Sequence, residues 1–234
     1  MMADSSLVFA GRVDTVSQWT DVSGYENHAI QNNPDWKPTV ISGANTVAIN
    51  ATTGGKVYYF DGAAYPNADN FKIPYNSSLR FDDEWTLSFW VNCRNPTMQI
   101  RLFTNDYGVD PTCVLVLINA DGTIRHYARD DSSNKYVDSS ISISDGLWHN
   151  IVCQRGGGYL WIYIDGVYDN KVAETLGDCG NSHNIYIGAA VNEGNYTSAN
   201  GLKGYMVAPR FWQRSLGVSE IANNYRLDLL RVRG

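Results

Sequence analysis

With 234 residues and a formal net charge of −6, the chain has the length of one large β domain and lacks the cationic excess that neutralises phosphates, so nucleic acid is not an expected partner. Only 18% of its residues are charged, while it carries 15 Tyr and 7 Trp. No apolar run approaches the ~20 residues of a membrane-spanning helix, and the opening MMADSSLVFAGRVD has no basic region followed by an apolar one, so neither a span nor an export signal is expected.

Residues 1–20 read as an N-terminal segment ahead of the folded unit. Strand signals then recur from Val57 to Trp212, separated by the turn-rich stretches AAYPNADN, TNDYGVDPT, DDSSNK and NEGNYTSANG, with no change of composition that would mark a linker. Val57 to Phe60 leads into the turn Asp61-Gly62, and Trp85 to Cys93 alternates as a strand. Cys113 to Ile118 is a continuous apolar run suited to a strand covered on both sides. Asp121-Gly122 then links it to Thr123–Arg129 as a hairpin.

The densest information lies in DGLWHNIVCQRGGGYLWIYIDG, from Asp145 to Gly166. A strand opens on Trp148-His149, the glycines 156–158 reverse the chain, and a second strand ends on Asp165-Gly166, a further tight turn. In that second strand Tyr159, Trp161 and Tyr163 alternate with Leu160, Ile162 and Ile164, so one face is aromatic and the other aliphatic. The one helix expected is short, capped by Ser215 or Ser219, with Val218, Ile221 and Tyr225 on one face against the edge of the sandwich. The remaining 227–234, LDLLRVRG, is either a disordered tail or a segment that docks on another chain.

The four cysteines, Cys93, Cys113, Cys153 and Cys179, show no Cys-x-x-Cys spacing, and the first three sit in apolar strand-like runs, which reads as reduced, buried thiols. Asn-x-Ser/Thr triplets begin at Asn50, Asn76 and Asn195 and matter only on a eukaryotic secretory route.

Taken in order, these segments resemble the laminin-G-like branch of the concanavalin A-like lectin/glucanase superfamily. The resemblance runs from about Asp21 to Tyr225. Asp21-Val22-Ser23-Gly24-Tyr25-Glu26-Asn27-His28 is similar to its D-x-S-G-x-x-N-H segment, and Tyr59-Phe60-Asp61-Gly62 to its F-D-G turn. Ile73-Pro74, Ser78-Leu79 and Trp85-Thr86-Leu87-Ser88-Phe89-Trp90-Val91 follow, then Trp148-His149, Tyr163-Ile164-Asp165-Gly166, Ile185-Tyr186-Ile187-Gly188 and Ser215-Leu216 with Glu220-Ile221. The resemblance implies an all-β fold, a two-sheet antiparallel jelly-roll sandwich with one short C-terminal helix, over residues 21–226. It does not imply a function, because this architecture hosts glycosidases, lyases, lectins and structural modules.

Glucanases of this superfamily need paired carboxylates on one strand, roughly 5 Å apart for retaining hydrolysis. The five glutamates, Glu26, Glu84, Glu174, Glu193 and Glu220, are scattered, and Asp82-Asp83-Glu84 reads as a solvated acidic turn. The lyase pattern of Arg, Gln-x-His and Tyr is approached by Gln99-Ile100-Arg101 but lacks its histidine; His28, His126, His149 and His183 stand in separate segments. Neither a nucleophile elbow nor a phosphate-cradling loop is present, so no catalytic residue is assigned.

Relatives often hold Ca²⁺ at the sandwich rim with oxygen ligands, which makes Asp21 and Asn27 the metal candidates and calcium the one cofactor considered. Val207 and Ala208 stand where the resembling last strand carries two acids, which weakens such a site. For ligand binding the candidates are Tyr159, Trp161 and Tyr163 as an aromatic platform, with Asn192, Asn195 and Tyr196 in NEGNYTSANG. Asn105, Asp106 and Tyr107 in NDYGVDPT share that polar-aromatic mixture. Covering of the aromatic face by a loop is the competing reading.

The resulting expectation is a non-catalytic recognition or attachment module, virion-borne or extracellular, such as a decoration or tail-appendage protein of a phage or virus. A carbohydrate-binding module of a secreted protein is the alternative, and a glycan-cleaving enzyme the third. The partners expected are proteins of an assembly such as a capsid or tail, further copies of the chain, or glycans.

Overall fold

The computed structural model describes residues 7–15, 18–42, 56–63, 67–105, 112–189 and 201–232. Among the described residues sixteen strands and one α-helix follow in chain order: β1 (Leu7–Thr15), β2 (Gln18–Asp21), β3 (Ala29–Ile30), β4 (Thr39–Ser42), β5 (Lys56–Asp61), β6 (Phe71–Ile73), β7 (Trp85–Cys93) and β8 (Ile100–Thr104). Then come β9 (Cys113–Ile118), β10 (Thr123–Arg129), β11 (Asn134–Ser142), β12 (His149–Gly156), β13 (Tyr159–Ile164), β14 (Val167–Ala173), β15 (Ile185–Ile187), β16 (Lys203–Trp212) and α1 (Val218–Val232).

The local chemistry explains the hairpins. Between β12 and β13, Gly157 and Gly158 both hold positive φ, as do Asp165 and Gly166 between β13 and β14; two left-handed residues in a two-residue loop match the twist of the strands they join. In β9 all six residues are buried, as its unbroken apolar run requires.

Every described pairing is antiparallel, and the strands form two packed sheets. One runs β14-β13-β12-β7-β16; the other runs β11-β10-β9-β8-β15-β6-β3-β2. Strand β1 belongs to both. Its first half pairs with β16 (Phe9 opposite Phe211) and its second half with β2 (Val13 opposite Trp19). On the same side of β16, residues 203–206 pair with β5 instead. The change of partner falls at a bulge between Val207 and Arg210, where Ala208 takes a φ of 51° ahead of Pro209. The valine and alanine that replace the expected acids are thus a buried corner of the strand.

Aromatic side chains fill the interior in two groups. Trp19, Tyr58 and Phe71 pack with ring centroids 4.6–5.3 Å apart, and Phe81 meets Trp85, Phe103 and Phe211. At the far edge the sheets are stitched by side chains: Ser140 donates N–H and O–H to Asp169, and Asn170 donates to the Asp138 carbonyl. All four cysteines are free and buried, and burial raises the thiols of Cys93, Cys153 and Cys179 above their ordinary range.

Two boundaries differ from those expected. The N-terminal segment contains β1 and nearly all of β2, so it is part of the sandwich. The helix runs on through 227–232, and it lies against the outer face of the β7–β12–β13 sheet, over Trp90 and Gly166, instead of the edge. Neither Ser215 nor Ser219 caps it: the Gly217 carbonyl accepts from Ile221, and Glu220 Oε2 accepts from the Gly217 N–H, half of a capping box.

Candidate functional site

The Trp148-His149 and Asp165-Gly166 pairs meet across β12 and β13. His149 Nδ1 lies 2.8 Å from Asp165 Oδ2, and its Nε2 lies 3.2 Å from Asp145 Oδ1. Asp165 Oδ1 accepts from the Asn150 N–H, and the Asp165 N–H donates to the Asn150 carbonyl. The Asp165 carboxylate, seconded by Asp145, raises the His149 pKa above its usual value. These residues fasten a turn.

Strand alternation then separates two faces of β13. Leu160, Ile162 and Ile164 enter the core, while Tyr159, Trp161 and Tyr163 face outward. The structure brings these three together. Trp161 stands 5.4 Å from Tyr159 and 6.3 Å from Tyr163, and exposed Tyr168 sits edge-on to both Trp161 and Tyr163. Tyr163 is 3% exposed, because Val152, Trp212, Leu216 and Ile221 close over it as a small second core beneath the helix. Tyr159 and Trp161 remain half-buried. The face is thus divided: the Tyr163 end is covered by the end of β16 and the start of α1, and the Tyr159 and Trp161 end is open.

The open end is a cationic, aromatic ledge. Lys171 Nζ lies 4.0 Å from the Tyr159 ring and 4.3 Å from the Trp161 ring. The indole N–H of Trp161 donates to the Gly156 carbonyl. The carboxylate and amide of Asp169 and Asn170 turn to the opposite face, where Asp169 accepts from Ser140 and Asn170 donates to the Asp138 carbonyl of β11.

The metal candidates Asp21 and Asn27 share one loop. Asp21 Oδ1 accepts from Ser23 N–H, and Oδ2 accepts from Ser23 O–H and Asn27 N–H; Asn27 in turn donates to Ser78. Such a carboxylate anchors its loop through backbone and hydroxyl donors. Among the described residues no group of three or more His, Cys, Asp and Glu is placed to hold a metal ion. Asn192, Asn195 and Tyr196 lie outside the described residues, as do Asp106 and Tyr107. Asn105 is buried, and its Oδ1 accepts from Val114 N–H, so it braces a strand end.

Four of the carboxylates considered for acid and base work are engaged. Asp82 pairs with Arg80, Glu84 accepts from Ser215, Glu174 forms a buried pair with Arg155, and Glu220 pairs with Arg214. His126 is enclosed between the sheets. At the other end of the helix-bearing sheet, sequence reading overlooked a cleft lined by Tyr59, Asn92, Arg94, Lys203 and Tyr205. Its residues come from three strands and two turns, and the period-two position of Tyr59 and Tyr205 was the sole sign of a shared face.

No curated protein matches this sequence. Among solved structures, the binding domain of Paraclostridial Mosquitocidal Protein 1 has a TM-score of 0.72 at 17% identity, over 96% of this chain and 52% of that one. A structure of botulinum neurotoxin type C, whose cell entry is dependent upon interaction with two ganglioside molecules, has a TM-score of 0.66 at 12% identity, over 95% and 51%. The binding domain of botulinum neurotoxin DC in complex with rat synaptotagmin II has a TM-score of 0.67 at 12% identity, over 97% and 52%. The chain spans about half the length of these structures, and at such identity the likeness is one of fold. The sequence itself matches the Laminin_G_3 family model over residues 66–222, and with the antiparallel sandwich it places this chain in the concanavalin A-like lectin/glucanases superfamily.

Proposed function

We propose that this chain is a non-catalytic recognition and attachment module that holds a protein partner through the ledge of Tyr159, Trp161, Tyr168 and Lys171, as a decoration or tail-appendage component of a virion. The observation that carries the reading is the ledge itself. Half-buried Tyr and Trp rings under a lysine, beside the 46% exposed Tyr168, have the composition of an interface centre. The alternative of a lectin-type module needs amides or carboxylates beside the rings, and those of Asp169 and Asn170 turn to the opposite face, toward β11. A fold shared with binding domains of toxins supports recognition over catalysis. The virion setting comes from the sequence reading and has its own test.

Labelled protein sedimented with purified phage or virus particles, and with intact cells, should be retained saturably, and Trp161→Ser combined with Lys171→Glu should lower retention about tenfold. Equal retention of the variant, or no retention on any particle or cell, would overturn the proposal. Incubation with algal and bacterial polysaccharides should release neither reducing ends nor unsaturated uronates. Release of either would return the chain to the enzymes.

A further inference from the structure

Strands β5, β16 and β7 lie side by side, and register sets Tyr59, Tyr205 and Asn92 in one row across them. Lys203 stands two residues before Tyr205 and Arg94 two after Asn92, so in antiparallel strands both fall on the same side of that row. The result is an open concavity of about 320 Å³ with rings on its floor and two cations along one rim.

Its construction depends on glycines. A Cβ on Gly204 would come within 2.2 Å of the Asn92 carbonyl, so only glycine lets the two backbones approach at the floor. A Cβ on Gly146 would strike the Arg94 guanidinium; the arginine lies across the position a side chain would occupy. Asn92 Nδ2 donates to the Gly146 carbonyl at 2.8 Å, which turns its Oδ1 to the opposite side as an acceptor. The Tyr59 and Tyr205 rings stand 5.0 Å apart, and Trp148 lies 6.2 Å from Tyr205.

The polar groups distinguish this place from the ledge. Arg80, Arg125, Arg155, Arg210 and Arg214 all pair with carboxylates, whereas Arg94 and Lys203 pair with none among the described residues. The neighbouring acids face their own turns: Asp61 accepts from Ala63 N–H, and Asp145 accepts from Leu147 N–H and lies against His149. In a protein of net charge −6, two unpaired cations beside aromatic faces select a ligand that has both an anion and an apolar surface.

We infer that the cleft binds an acidic saccharide, a pyranose that carries a carboxylate. The tyrosines take the C–H face of the ring, Arg94 and Lys203 take the carboxylate, and Asn92 Oδ1 accepts from a hydroxyl. This site is separate from the protein-binding ledge and stands or falls without it.

Calorimetric titration of the full chain with three trisaccharides of equal length, one neutral, one uronate-bearing and one sulfated, tests the assignment. The uronate should bind saturably, more weakly as salt rises, and about tenfold more weakly after Arg94→Gln or Lys203→Gln, both at exposed positions. Tyr205→Phe should retain binding if the ring face is what the sugar meets. Trp161→Ser should leave uronate affinity unchanged, which separates this site from the ledge. No binding at millimolar uronate, equal binding of the neutral sugar, preference for the sulfated one, or indifference to both cation substitutions would each overturn the inference.

Discussion

His126 and His149 show how placement sets the chemistry of a residue. His126 is fully buried, its Nδ1 is 3.3 Å from the Trp161 carbonyl, and its Nε2 has no hydrogen-bond partner among the described residues; burial pushes its pKa down to about 4. The unfolded imidazole takes up a proton near pH 6.5 and the folded one only near 4, so in that window the unfolded state binds more protons. Stability should therefore fall as pH drops from 6.5 to 4, by up to about 3 kcal/mol. Urea unfolding midpoints across that range check it, and His126→Leu should flatten the dependence. His149 has the opposite sign. Its raised pKa gives a contribution fully present below about pH 6.5 and lost as pH rises through the folded value, so His149→Gln should remove stability chiefly on the acid side. The Trp148-His149 and Asp165-Gly166 pairs were legible as the ends of one hairpin, though not their contact. The enclosure of His126 was not, since the residues that bury it come from the opposite sheet.

Among elements, the C-terminal helix depends most on its seat. Asp228 is buried; it accepts the Trp90 indole N–H and a bidentate pair from Arg210, while Tyr225 stacks on Trp90 at 5.6 Å. Asp228→Ala would leave a half-buried arginine and a buried indole N–H without partners, at a cost of about 3 kcal/mol, measurable as a lower thermal midpoint with a shifted tryptophan emission. Glu220→Ala should cost about 1 kcal/mol through loss of the reciprocal cap at Gly217. Gly166→Ala combines strain at a φ of +76° with a Cβ driven to 2.8 Å from Tyr225, so it should loosen hairpin and helix together in hydrogen exchange at both. The hairpin was readable because two left-handed residues between alternating runs are a local instruction. The short helix was readable, but its continuation past 226 was not, because Asp228 and Leu229 owe their order to Trp90, Arg210 and the core, not to their neighbours in sequence.

Across the whole molecule, the sheets are held together by the aromatic core, by side-chain bonds between β11 and β14, and by β1, which pairs with both. A chain lacking residues 1–15 would expose unpaired backbone on β16 and on β2 at once, so it should lose its cooperative thermal transition and aggregate, checked by calorimetry with light scattering. The sandwich class, the β12–β13–β14 meander and the buried thiols were all readable from order and period, because strand alternation, glycine turns and apolar runs act over a few residues. The role of β1, the helix seat, the division of the β13 face into a covered and an open end, and the cleft of Tyr59, Asn92, Arg94, Lys203 and Tyr205 were decided only by tertiary packing. Each depends on which distant strands become neighbours, and that is set by long-range pairing and burial that no local pattern records.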